Sequence, residues 1–325
     1  MIKKILPTIL ILVFLLTVAF SCSPANSAEL NLVPGTANMV LQIQVGKVLI
    51  NPAVQIAYGE LATMNSTLPQ TTGDLLNELK QKTGFDLSTI SNAVFFADIE
   101  SANQTQNMYA GVIASGTFDE SSLVEQFQQQ INQTLTTTDY KELTIYSGVQ
   151  DKFGLVFFSQ NKLVFGSLKA VKDVIDVSKK DQQPLSGSVI DTLNRVGAAL
   201  ISGAFTPPDT LRSKLPGETE VMPQYPVSLK PFQDIDAIGF AIDQPDLNLT
   251  ARVDAHFANN TSLQDAKDTI TGLISLARGT VQDQTVKTIL GNIKVNTSGT
   301  WLSVQDLVSV TDFTSLFSNI QKTQP

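Results

Sequence analysis

Two nine-residue apolar strings, Ile90 to Asp98 and Ile235 to Asp243, constrain the fold more than any other feature, because they match at both ends and in the middle: Ile90 with Ile235, Phe95 with Phe240 and Asp98 with Asp243. Each leads into a second strand-like run, Met108 to Gly116 in one case and Leu247 to Phe257 in the other, and then into a helix-like stretch, Asp119 to Asn132 and Ser262 to Ala277. Leu123, Phe127 and Ile131 in the first stretch, and Ile270, Ile274 and Ala277 in the second, recur at three and four residues, as one face of a helix requires. Both series close alike. Leu143 to Tyr146, Phe153 to Phe158 and Leu163 to Phe165 precede a helical pattern at Leu168 to Val177, while Ile293 to Val295 and Trp301 to Val304 precede one at Phe313 to Ile320.

Upstream, Met39, Leu41, Ile43 and Val45 alternate within Ala37 to Val45, and Gly197 to Phe205 is a second apolar run. The reading that follows is an α+β chain of two similar units, residues 37–183 and 184–325, each an antiparallel sheet with helices packed on one face. The break between them is expected near Asp181 to Leu185, where charge and Pro184 follow a helix.

Leu247 to Phe257 carries the clearest alternation. Leu247, Leu249, Ala251, Val253, Ala255 and Phe257 share one face, and Asn248, Thr250, Arg252, Asp254 and His256 the other, so one face is expected in the core and one in water. His256 is the only histidine, and Asp254 beside it on that face could orient an imidazole for base catalysis. A solvated sheet face carrying a polar pair explains the same residues, and no nucleophile-elbow pattern accompanies them.

The N-terminus speaks of location. Lys3 and Lys4 precede a mostly apolar run from Ile5 to Phe20, which is short for a membrane span and ends in small and polar residues, so residues 1–21 read as a signal peptide. Val18-Ala19-Phe20-Ser21-Cys22 resembles the lipobox of bacterial lipoproteins, with Ala19 where leucine is usual and Phe20 beside the cut. The resemblance implies that Cys22, the only cysteine, becomes the N-terminus and carries diacylglycerol. The protein would then face away from the cytoplasm on the cell membrane or outer membrane, with residues 22–36 as a tether.

Composition agrees with an exported globular chain: 42% hydrophobic and 16% charged residues are enough for a core hiding roughly three quarters of the unfolded surface, and one cysteine allows no disulfide framework. Removal of residues 1–21, which hold two lysines and no acid, takes the net charge from -8 to -10. Nucleic acid is therefore not an expected partner, since phosphate binding relies on clustered Lys and Arg.

Most catalytic and cofactor classes find no pattern here. There is no Gly-rich phosphate loop, and a lone histidine with a lone cysteine makes no zinc or haem site of familiar spacing. Ser159 and Lys162 match Ser-x-x-Lys, but they lie between two apolar runs and read as a hairpin turn. Asp234, Asp236, Asp243 and Asp246 crowd together without calcium-loop spacing and read as surface carboxylates. Seven Asn-x-Ser/Thr sequons occur, at Asn65, Asn103, Asn132, Asn248, Asn259, Asn260 and Asn296, and helix capping accounts for Asn259 and Asn260 without a glycan. Residues 216–233, with Pro216, Pro223, Pro226 and Pro231, look like an insertion relative to Gly84 to Thr89 and are the first candidate surface for a protein partner.

The expectation is thus a non-enzymatic surface protein, with no catalytic, cofactor or metal site, that binds or scaffolds something at the membrane. The alternative is a carrier for an apolar ligand held between sheet and helices, since Ala93 to Ala97 and Phe153 to Phe158 are apolar on both faces and could line a cavity. An extracytoplasmic hydrolase stands third.

Overall fold

The computed structural model describes residues 27–64, 68–83, 86–101, 108–148, 152–215, 228–244 and 248–312. The expected signal peptide, Cys22, the stretch 216–227 of the proline run, Asn65, Asn103, Asp246 and the closing helix expected at Phe313 to Ile320 lie outside those residues.

The first half contributes β1 (Met39–Ile43), β2 (Ile90–Ala97), β3 (Ala110–Gly116), β4 (Thr136–Tyr140), β5 (Leu143–Ser147), β6 (Phe153–Ser159) and β7 (Lys162–Ser167). The second contributes β8 (Ile201–Phe205), β9 (Ile235–Asp243), β10 (Asn248–Phe257), β11 (Lys294–Ser298) and β12 (Trp301–Ser309). The helices are α1 (Val45–Leu49), α2 (Pro52–Met64), α3 (Thr72–Thr83), α4 (Glu120–Ile131), α5 (Leu168–Ser178), α6 (Ser188–Val196), α7 (Asp209–Arg212), α8 (Asn260–Thr280) and α9 (Gln284–Asn292). The fold is α+β with an antiparallel sheet, as the alternating patterns indicate.

The sheet is, however, one and not two. Its twelve strands run β11-β12-β10-β9-β8-β1-β2-β3-β7-β6-β5-β4, and the halves join where β1 pairs antiparallel with β8, from Met39 against Phe205 to Ile43 against Ile201. Outward from that central pair the order is β1-β2-β3 on one side and β8-β9-β10 on the other. Ala93 opposes Ala114 in the first series and Ile238 opposes Ala255 in the second. A strand edge left open by each half is thereby closed by the other, which removes two unpaired edges.

Helices cover both faces of this sheet, not one as expected. Val94, Phe96, Ile113, Val156 and Val164 pack with Val171 and Val174 of α5 and Leu193 of α6, whereas Ala93, Ala114, Leu155 and Leu163 point to the opposite face, beneath Leu123 and Val124 of α4. Strands apolar on both faces have to be covered on both. On the face of α4, α8 lies over Ile235, Ala255, Phe257 and Leu302. Both helices begin at side-chain caps. Asp119 accepts from Ser122 N at 2.8 Å, and Asn259 accepts from Ser262 N at 2.8 Å. Asn132 closes α4 in the left-handed region at φ 52°, so two of the sequon asparagines serve helix ends.

The segment expected to be a tether is largely part of the core. Leu30, Val33 and Ala37 are buried against α5 and α6. Leu185 N donates to the Val33 carbonyl at 2.7 Å and Gly35 N to that of Gln183 at 3.1 Å, so the expected break near Asp181 to Leu185 is stitched to the N-terminus. Thr36 Oγ1 donates to the Tyr109 hydroxyl at 2.6 Å, which in turn donates to Asp173 at 3.0 Å.

The proline run also needs correction as an insertion. β1 to β2 is connected by Gln44 to Thr89, with α1, α2 and α3, and β8 to β9 by the shorter Thr206 to Asp234. The larger addition is in the first half, because β1 precedes those helices instead of following them.

A candidate ligand cavity under the first half

Those added helices roof a cavity of about 370 Å³. Its floor is the sheet: Ile43 from β1, Ala93 and Phe95 from β2, Val112 and Ala114 from β3, and Leu155, Leu163 and Phe165 from β6 and β7. The roof is amphipathic. Leu75, Leu76 and Leu79 of α3 recur at one and four residues, Val54 and Tyr58 of α2 at four, and Leu123 and Phe127 of α4 at four, each set forming one helix stripe. Small side chains contribute to the space: Ala93 and Ala114, both on the floor, are directly opposed across β2 and β3.

Among the described residues no ionisable group other than the Tyr58 phenol lines the cavity, and its polar side chains are Tyr58, Thr72 and Gln126. Tyr58 is fully buried and donates to the Pro69 carbonyl at 2.7 Å. Burial, with Glu78 and Asp74 adding to it, pushes that phenol up to about 12, so it stays neutral. Gln126 donates to Ser122 Oγ at 2.7 Å. An ionised group brought inside would lose its hydration without a partner charge. The cavity is therefore suited to hydrocarbon. Ala93 to Ala97 and Phe153 to Phe158 stand out in the sequence as apolar on both faces, and Ala93, Phe95 and Leu155 do line the cavity; the roof helices α1, α2 and α3 are less legible, although the leucine spacing of α3 marks that helix.

The polar face of β10 is organised differently from expectation. Asp254 does not orient His256 and is not in water: it is fully buried, with Arg252 Nη2 at 2.7 Å and Arg195 Nε of α6 at 3.7 Å. The physical reason is that α6 lies across β8, β9 and β10 on that face. On the supposed core face, Val253 is 44% exposed. His256 takes Asp236 as its partner, Nδ1 to Oδ1 at 2.6 Å, and its Nε2 is 2.7 Å from Thr300 Oγ1. Trp301 stands 4.7 Å from the imidazole between centroids, and the Arg195 guanidinium lies 4.7 Å from the same indole. Carboxylate, imidazole and hydroxyl stand in the order of an acyl-transfer triad. The same bonds also clamp β9, β10 and the turn between β11 and β12 together.

The remaining candidates are dispersed. Ser159 pairs with Lys162 across the β6–β7 hairpin. Asp234 accepts from Asn259 Nδ2 at 3.1 Å and from Ser262 Oγ at the start of α8. Burial pushes Asp243 above the usual carboxylate range. Among the described residues no cluster of three or more His, Cys, Asp or Glu is placed to hold a metal ion, and no helix is long and apolar enough to cross a membrane.

No protein-family model matches the chain, and no curated protein matches it. Solved structures that match are crystal forms III, I and IV of TP0453, at 12%, 11% and 12% identity. The matches cover 92%, 91% and 92% of this chain and 99%, 98% and 97% of theirs, with TM-scores of 0.47, 0.44 and 0.46. At that level nothing about ligand or activity is carried over to this chain.

Proposed function

We propose that this protein is a non-enzymatic, lipid-anchored carrier, held through Cys22 on the outer side of a membrane, that binds an apolar ligand such as an acyl chain between the sheet and helices of its first half. The observation that carries the reading is the cavity itself. It is partly open to solvent, and apart from Tyr58, Thr72 and Gln126 its described lining is apolar. An apolar space of about 370 Å³ with no charged group among its described lining residues favours a ligand site over a packing defect, and favours a carrier over a plain scaffold. Its size falls within the range of about 300–1,000 Å³ common to small-molecule pockets.

The lipid anchor is supported by the basic, apolar and small-residue sequence leading to Cys22. The matching strand order on either side of the β1–β8 pair supports the further reading that residues 37–183 and 184–325 are copies, with the cavity added to one by the helices between β1 and β2.

The test is to purify the chain from membranes, extract it with organic solvent and identify the extract by mass spectrometry, then to titrate the stripped protein with the neutral apolar probe 1-N-phenylnaphthylamine. Saturable one-site binding, competed by the extracted lipid, is expected. A clean extract together with no saturable binding would remove the carrier reading.

A further inference from the structure

The N-terminal segment is held much closer to Cys22 than a tether of residues 22–36 would allow. Leu30 N donates to the Ser27 carbonyl at 3.0 Å, the buried Glu29 carboxylate accepts from Ser115 Oγ, and Leu30 and Val33 are in the core. Ser27, where the described residues begin, is five links from Cys22, a separation of at most about 18 Å at full extension.

Glu29 meets the molecule at one edge of the sheet, where β3 ends and β2 and β7 begin. That edge is knit into one body. Gly116 N donates to the Asn161 carbonyl at 3.0 Å, Thr117 N to that of Thr89 at 3.0 Å and Phe118 N to that of Gln160 at 2.9 Å. Ile90 and Leu163, at the same strand ends, belong to the cavity lining on the opposite face. Resting on the anchored-carrier reading, we propose that lipidated Cys22 holds this edge, Thr89–Ile90, Ser115–Gly116 and Gln160–Lys162, against the surface of the anchoring bilayer. The cavity then exchanges its ligand with that same leaflet, because a leash of about 18 Å is too short to carry it to another membrane.

Charge does not create this contact. Lys162 lies in the field of Glu29, Lys80 is bonded to Asp86 at 2.7 Å, and Asp119 and Glu120 stand just beyond Phe118. The edge therefore carries no basic excess to attract anionic lipid, and the proximity is imposed by chain length.

The sole native cysteine is the one that takes the lipid, so single engineered thiols can be labelled selectively in the full chain. Gln160→Cys places a fluorophore at the proposed edge. Met108→Cys, more than half exposed, places one near the other end of β3, roughly 27 Å away at a strand rise of about 3.4 Å per residue. In phosphatidylcholine vesicles containing a headgroup-linked quencher, the label at 160 is expected to be quenched at least several-fold more than the label at 108, with no change up to about 0.5 M salt. A flexible Gly-Ser insertion of about 20 residues between Asn26 and Ser27, which widens the leash to roughly 27 Å r.m.s., should abolish most of the difference. Intact mass reads the anchor separately. Unmodified Cys22 would overturn the anchor and this inference with it; modified Cys22 with equal quenching at both sites, or with quenching at 160 indifferent to the insertion, would overturn this inference alone.

Discussion

Ala114→Leu separates a ligand cavity from a packed core by the sign of its effect. Ala114 is buried, faces Ala93 across β2 and β3, and lies on the cavity floor. Leucine adds three carbons. At about 0.8 kcal/mol per buried methylene the upper bound is roughly 2.4 kcal/mol, and cavity-filling substitutions commonly deliver about 0.5–2 kcal/mol. The expectation is a gain of about 1–2 kcal/mol in the ligand-free protein, a rise of roughly 2–4 °C in Tm for a chain of this size. Affinity for 1-N-phenylnaphthylamine should fall at least about tenfold, or 1.4 kcal/mol, because the added side chain occupies the probe's space. Urea unfolding of the stripped protein and fluorescence titration measure the two effects on the same sample. A floor already packed would instead lose about 1–3 kcal/mol to overpacking. Destabilisation with unchanged probe binding would therefore refute the cavity argument.

Three other outcomes are expected. Cys22→Ala should move the protein from the membrane to the soluble exported fraction, as fractionation and blotting read it; retention with an uncleaved N-terminus would contradict lipid anchoring. His256→Ala removes the clamp to Asp236 and Thr300 and should lower stability by about 1–1.5 kcal/mol in urea unfolding. Any p-nitrophenyl ester turnover abolished by it and by Thr300→Ala would establish the hydrolase instead. Asp86 is held down to about 2 by the Lys80 ammonium and the Ser88 hydroxyl. A carboxylate with a depressed folded-state pKa stabilises above its ordinary value of 3.8 and loses that contribution as pH falls toward about 2. Asp86→Asn should accordingly flatten the acid limb of stability in that window, and an unchanged acid profile would count against the pairing.

Much of this architecture was legible because local patterns carried it. The α4 helix begins beside Asp119 and ends beside Asn132 as its capping residues dictate, and β10 covers nearly the span its alternation marks. Partners were not legible. Asp254 and His256 stand two residues apart on one face of β10, yet one is neutralised by arginines and the other bonds Asp236, twenty residues away, since neighbours in a sheet are set by register and by whichever helix crosses above.

What the sequence by itself determined is what short-range periodicity and composition can encode: an α+β chain of paired patterns, and strands apolar on both faces. Only the tertiary structure decided that β1 pairs with β8 to make one sheet, that Leu30 and Val33 belong to the core, and that α1, α2 and α3 stand off from Ala93 and Ala114 to leave a cavity. A strand edge, an apolar residue and a small side chain each state a need for cover. Which element supplies that cover, and how much space it leaves, depends on residues far away in the chain meeting in three dimensions.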